Sequence, residues 1–493
     1  MLIILWGTEM LFTHKIGFGS NQYDKENSDP DWAIENLSDK SEDLGINTLN
    51  SNNIKVENWP KKYDKSLSER VTLLREWVYV REEKLDLDKS LSKLDYEKKY
   101  RELKKKTRID EYDKAKFAHR AIYGTDPVRK RFVHFWFNHF TIGPRQSPIM
   151  FEHFINDVID EGLDTNFSEL AYKVTTHPCM LGYLDNIFNT GENSEKAKKN
   201  RSKGNKEQVG LNDNLARELM ELHTTSPSSK YTEKDIREAA KILAGWGLII
   251  SNKDSKRYYK DAGITDYQQA YVKYHAEPGN KVVLGKTYKA GKEALSQFVN
   301  NLSTMEETID HISYKLCLHF ISDNPKIEDV NYVKSEWIKS KGNLKKIHEA
   351  VIHRTFMSEE KKFQWPITWA LTVLRISGAH LISGWEDIHT EGRFENKINQ
   401  FEKISKEFGQ SFWAKRQPNG FSLHSSDWIS PEHMERRIRF ANLVFKYGNP
   451  SISIDQLEEN LNLSDDTRQM LKLAINENQK FTLLMCSKEM IGT

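Results

Sequence analysis

The sequence predicts a mainly α-helical fold: a multi-helical globular body with a small β-hairpin insertion. Apolar residues recur at helical spacing through most of the chain, clusters of Gly, Pro, Asn and Ser punctuate those stretches, and only residues 248 to 290 carry short β-branched runs between glycines. With 493 residues the chain can bury a large core, and 73 Lys and Arg against 71 Asp and Glu leave it nearly neutral. Near neutrality argues against a nucleic-acid binder that works by overall charge.

Residues 1 to 65 read as an irregular N-terminal arm. Its opening, MLIILWGTEMLFTHK, is apolar but has no basic stretch before the apolar run, contains Glu9 and shows no small-residue cleavage site, so it does not read as a signal peptide. Asn, Asp, Ser and Gly then dominate, with one short helix expected at Trp32 to Leu37. Residues 66 to 380 form the expected helical core. Val71, Leu74, Trp77 and Val78 share a stripe in a charged helical region that reaches Ile122; Lys104 to Lys106 read as a solvated face there, because Glu102, Asp110 and Glu111 flank them.

Asp126-Pro127 opens the next helix, RKRFVHFWFNHF, at a position where the missing proline N–H costs nothing. Val133, Phe135, Trp136, Phe137 and Phe140 make it apolar nearly all round, the mark of a buried central helix. Arg131, His134 and Asn138 nevertheless fall along one line, with His139 beside it, and buried polar groups need partners. After a turn at Ile142-Gly143-Pro144, helices are expected at Phe151 to Ile159, at Phe167 to Val174 and around Met180, Leu181 and Leu184. Residues 189 to 210 are lysine-rich and lack an apolar period, which predicts a flexible loop.

The stretch from Asn212 to Gly247 holds two helical patterns. Successive helical residues advance about 100°, which puts Asn214, Arg217, Glu218 and Glu221 on one arc and Leu215, Leu219 and Leu222 on a neighbouring one. Thr232 reads as the N-cap of the second helix, with Glu233 and Asp235 near its positive end. Ile236, Ala239, Ala240, Leu243 and Ala244 form its buried face, and Gly245 and Gly247 end it. Strands are expected at Leu248 to Ile250, Ala270 to Tyr274 and Lys281 to Gly285, forming the small hairpin of residues 248 to 290. Helices follow at 290 to 302, 305 to 320, 327 to 339, 344 to 353 and 365 to 377. Residues 381 to 493 make a C-terminal helical region packed on the core, with helices at 396 to 408, from Ser430 and Pro431 to Leu443, at 454 to 461 and at 464 to 485.

Several function classes are excluded or unsupported. No run of about 18 apolar residues occurs, so no transmembrane segment is expected. Cys179, Cys317 and Cys486 lie far apart without zinc spacing and read as buried thiols. Phosphate-binding glycine loops, a GxSxG elbow, HExxH and paired Glu-x-x-His motifs are all missing.

A polar cluster remains. Glu218, Glu221 and Arg217 are the catalytic candidates, one carboxylate serving as general base and the guanidinium holding an anionic group. Asn138, Asn214 and Arg217 are the substrate-binding candidates. A divalent-metal version would use His139, His275 and Glu218, since imidazole with carboxylate suits zinc or iron. The competing reading is structural: Arg217 with Glu218 or Glu221 forms a buried ion pair that clamps its helix on FWFNHF, and breaking it would cost on the order of 3 to 5 kcal/mol. His223 reads as an apolar-side residue at a helix end that suits an imidazolium, and His319 as a satisfied core histidine. Both readings require the Arg217 ridge to face the aromatic helix.

At FWFNHF, HPCMLGYLDN, NLARELMELH, KYTEKDIREAAKILAGW, HAEPGNKVVLG and KLCLHFISDNP, in that order, the chain resembles the bacterial family catalogued as domain of unknown function 1800. QWPITWALTVLRISG and GQSFW, QPNGFS and DWISPEHMERRIRFAN extend the likeness from about residue 14 to the C-terminus. The resemblance implies a bacterial protein with no activity to carry over, from a family whose members often look exported and are frequently encoded beside a sulfatase-like partner. Three places depart from the family pattern. Asp213 stands where the family has Glu, Thr224-Thr225-Ser226 replaces Thr-Leu-Gly, and His275-Ala276 replaces His-Asp. Together these readings leave an enzyme-like protein with a polar pocket, or a non-catalytic scaffold or envelope interaction module whose polar line is architectural.

Overall fold

The computed structural model describes residues 12–20, 29–39, 110–143, 148–204, 210–247, 270–379, 405–411 and 417–492 apart from 462, together with short pieces between 46 and 102 and Lys415. The apolar run MLIILWGTEML, the Val71 to Val78 stripe, the Lys104 to Lys106 run, Leu248 to Ile250 and the expected helix from Asn396 as far as residue 404 lie outside the described residues.

Asp29 starts helix α1 (Pro30–Ser38): its carboxylate accepts the Trp32 N–H at 2.8 Å, and Pro30 occupies a position that needs no donor. Beyond it in the arm, β1 (Ile46–Asn47) and β2 (Lys55–Val56) pair antiparallel where the sequence reads as loop. Helices α2 (Asp110–Tyr123) and α3 (Pro127–His139) follow. Every position of α3 is buried. It is the axis of the body, with α1, α2 and the Phe154–Asp160 turns packed around it. Expected as plain α-helix, Phe151 to Ile159 has only one α-turn, Phe151–His153, before a π-helical stretch, Phe154–Asp160. Asp160, at its end, meets Arg129 Nε at 2.5 Å and Lys130 Nζ at 2.6 Å, while Arg129 also reaches Asp164 at 3.0 Å.

Helices α4 (Phe167–Thr176) and α5 (Pro178–Tyr183) come next. Within the lysine-rich interval expected to be loop, Glu195–Ser202 forms α6, because the Ser194 hydroxyl caps it by accepting the Ala197 N–H at 3.1 Å. A strong cap and good helix formers stand in for the missing apolar period. Helix α7 (Asn214–Glu221) packs on α8 (Glu233–Leu243), which opens with a reciprocal capping box between Thr232 and Asp235. Gly245 ends it with φ +98°, a conformation that favours glycine. The hairpin region is built as two antiparallel pairs instead of one: β3 (Trp246–Gly247) with β4 (Ala270–Tyr271), and β5 (Lys281–Val283) with β6 (Lys286–Tyr288).

The chain then returns to helix in α9 (Glu293–Ser303), α10 (Glu306–Phe320), α11 (Ile327–Ser340), α12 (Leu344–Met357) and α13 (Pro366–Ser377). Ser430 caps α14 (Pro431–Tyr447), as its Ser-Pro sequence predicts. The C-terminal part holds α15 (Ile454–Asn460), α16 (Asp465–Lys472), α17 (Glu477–Met485) and α18 (Lys488–Ile491). The single helix expected over 464 to 485 is broken because Asn476 caps a new one, accepting the Gln479 N–H at 2.9 Å. One continuous cluster of buried side chains runs from Phe12 to Ile491. The fold is mainly α with small antiparallel β pairs. Among the described residues no helix is long and apolar enough to cross a membrane.

Candidate functional site

Helix α7 turns Leu215, Ala216, Leu219 and Met220 into the core. Its polar ridge therefore takes the opposite arc. Arg217 reaches Glu221 at 3.2 Å on its own helix, Glu233 at 2.7 Å on α8 and Asp213 at 3.6 Å, and Tyr231 donates its hydroxyl to Glu221 at 2.7 Å. The Arg217 side chain is 32 % exposed and that of Glu233 78 %. This corrects both expectations for the ridge: it clamps α7 to the start of α8 at the surface and does not face α3. Asn214 is exposed at the helix start. Glu218 is half-buried and its carboxylate has no hydrogen bond among the described residues; burial and then Glu221 push its carboxyl above the usual range, with Arg217 pulling the other way.

The partners of the α3 polar line come from elsewhere. Helix α10 lies against α3, with the Phe132 and Phe320 rings stacked at 4.3 Å and Phe135 5.3 Å from His319. It carries His311, Lys315 and His319 at four-residue steps, hence on one face. Lys315 Nζ sits 2.9 Å from His139 Nδ1, and His139 Nε2 sits 3.2 Å from the His223 carbonyl. The geometry selects one tautomer: Lys315 donates to Nδ1, and Nε2–H donates to the carbonyl. His311 hydrogen-bonds the neighbouring Leu222 carbonyl. These carbonyls close the C-terminal end of α7, whose partial negative charge offsets a group of basic side chains. Thr224 and Thr225 add to the closure, their hydroxyls donating to the carbonyls of Leu219 at 2.7 Å and Met220 at 2.9 Å.

Among the described residues no carboxylate forms an ion pair with Lys315, and burial lowers its ammonium from 10.5 to about 8. Burial, followed by Lys315, holds His139 well below the ordinary imidazole value and takes His223 to about 3 and His311 to about 4. His223 is thus a neutral buried ring, not the expected imidazolium. Its two ring nitrogens have no partner among the described residues, and neither do those of His319, so the expectation of a satisfied core histidine fails at His319. At that end of the seam Arg131 is buried over the Phe18 ring, 5.7 Å from its centroid, and burial lowers its guanidinium to about 9.

Asn138, expected to bind substrate, is committed to architecture. Its side-chain amide donates to the Phe421 carbonyl at 3.0 Å and accepts the Phe421 N–H at 2.8 Å. His275 is half-buried in the turn Lys273–His275, where its carbonyl accepts the Gly191 N–H at 2.9 Å. Among the described residues no three His, Cys, Asp or Glu side chains group to hold a metal ion. His139, His275 and Glu218 are therefore not assembled as a ligand set; α7 presents its carboxylates on the arc away from His139.

A family model described as "Protein of unknown function (DUF1800)" matches residues 12–491. The chain belongs to the DUF1800 family. No curated protein and no solved structure matches it. Several segments that carry the DUF1800 likeness now have physical roles. FWFNHF supplies the buried axis and His139. The end of NLARELMELH supplies the Leu222 and His223 carbonyls that close the basic cluster. KLCLHF supplies His319 and, at its first residue, Lys315. NGFS supplies the loop that Asn138 grips. Sequence reasoning missed Lys315 and His311, although their four-residue spacing with His319 was the available signal.

Proposed function

We propose that this protein is an enzyme of carbonyl chemistry in which the neutral Lys315 amine is the nucleophile and His139 the hydrogen-bond partner that orients it. The observation that carries the reading is the 2.9 Å contact between Lys315 Nζ and His139 Nδ1, with His139 held from behind by the His223 carbonyl. A lysine amine attacks only when neutral, and a water-poor setting with no carboxylate paired to it among the described residues favours that state. Lys315 as a residue is half-buried. In the step envisaged, the neutral Lys315 amine adds to an aldehyde or ketone carbon, and the two protons its nitrogen then loses are the ones that the carbonyl oxygen gains. The carbonyl oxygen takes up two protons and leaves as water, and a carbon–nitrogen double bond remains on Lys315.

Reductive trapping tests this directly. With benzaldehyde and cyanoborohydride, mass mapping should show Lys315 modified at least about tenfold faster than the exposed Lys234, and His139→Phe should remove the difference. Equal labelling of Lys315 and Lys234 in the folded protein would overturn the reading. A second reading, that the Arg217 ridge is purely architectural, is favoured by the guanidinium being engaged with Asp213, Glu221 and Glu233. Glu218→Gln with elemental analysis and thermal melts checks it: the architectural role requires unchanged metal content, and a lost metal would restore the catalytic one.

A further inference from the structure

A cleft at the α13 end of the seam encloses about 320 Å³, counting its mouth, and is lined by residues that include His134, Asn138, Ile367, Gln410, Lys415 and Phe421. Its enclosed part is about 20 Å³, room for about one water, so a larger ligand would lie mostly in the open mouth. Its polar character is one-sided. No Asp or Glu is among the described residues that line it. Gln410 is 1 % exposed; its Oε1 accepts the Ile367 N–H at 3.0 Å, which leaves Nε2, buried and without a partner among the described residues, as a donor in the cleft wall. Lys415 stands over the Phe421 ring at 5.2 Å and brings a positive charge. Ile367 belongs to the first turn of the 12-residue helix α13, so the cleft also sits at the positive end of a helix dipole. Behind it, Trp365 Nε1 and the Arg131 Nε and Nη1 groups are further buried donors with no acceptor among the described residues. Phe421 and Ile367 give the walls an apolar part.

We propose that this cleft binds a small organic acid, a carboxylate or phosphate group carried on a short aromatic or apolar body. The oxyanion meets Gln410 Nε2, Lys415 Nζ and the start of α13, and the body lies against Phe421 and Ile367. This site is independent of the amine chemistry at Lys315, and Lys315→Met should leave it intact.

Calorimetric titration of the full chain with benzoate and with phenyl phosphate tests the inference, with benzyl alcohol as the neutral counterpart. One site per chain is expected for at least one of the two acids, at least about tenfold tighter than for benzyl alcohol. Gln410→Glu keeps the acceptor that holds the Ile367 N–H but sets a carboxylate against the ligand. It should weaken acid binding at least about tenfold. Lys415→Gln, at the mouth, should weaken it similarly and decides the matter if Gln410→Glu does not fold. Absence of binding by both acids, equal binding of benzyl alcohol, or acid affinity unchanged in the folded variants would overturn the proposal.

Discussion

Single residues carry sharp constraints where α3 meets the C-terminal region. Gly420 has φ +68°, and a Cβ there would lie 2.3 Å from the Asn138 carbonyl oxygen. Gly420→Ala therefore meets both a strained backbone and a backbone clash, and should cost about 2 kcal/mol or more in denaturant unfolding; a cost near zero would mean that the Asn138 grip on Phe421 is not formed. Lys315 makes a prediction of a different kind. Its folded value, about 8, lies below the unfolded 10.5, so protonation favours the unfolded chain and stability should rise as pH goes from 8 to 10. Subtracting the profile of Lys315→Met from that of the natural protein isolates this gain. No difference between the two would place Lys315 in ordinary solvent. Asn138 and Lys315 also mark the limits of reading residues alone: Asn138 was visible as a buried polar side chain, but its partner lies 283 positions away.

At the scale of elements, two arginines that look alike in sequence part company. Arg129 on α3 is fully buried between Asp160, Asp164 and the Leu37 carbonyl, and it ties α1 and the π-helical turns to the axis. Arg129→Ala should cost about 3 to 5 kcal/mol by stranding buried carboxylates. Arg217 joins α7 to α8 in the solvent, and Arg217→Ala should cost about 1 kcal/mol or less. Parallel thermal melts of the two variants check the contrast, and comparable losses would refute it. The amphipathic reading of α7 identified the two arcs correctly. It assigned the polar arc to the interior because α3 needed partners, whereas the apolar arc of Leu215, Leu219 and Met220 took that place, as burial of apolar area favours.

For the whole molecule, the notable quantity is the number of imidazoles sealed inside as neutral rings. Burial takes His14 to about 4, His134 to about 3, His223 to about 3 and His348 to about 3, all from 6.5. The unfolded chain binds protons at these sites below pH 6.5 while the fold refuses them, so their contribution is complete above 6.5 and is lost as pH falls toward the folded values. Each site withdraws up to about 1.4 kcal/mol per pH unit in that window. Melting temperature should therefore fall steeply between pH 6.5 and about 5. A flat profile in that window would show that these rings are reachable by water in the folded state.

The sequence by itself determined the mainly helical class, most helix positions and the caps at Thr232 and Ser430, because periodicity and capping chemistry are local. It also placed a polar line on a buried helix, and the family motifs fell where that helix and its neighbours lie. Tertiary structure alone decided what stands opposite each face of α7, and that His139 answers to Lys315 and the carbonyls at the end of α7 and not to Glu218. Helical spacing sets the angle of a side chain about its own axis but says nothing of which helix stands opposite. That choice belongs to the summed burial of many apolar side chains across the core, and the polar residues find their partners only afterwards.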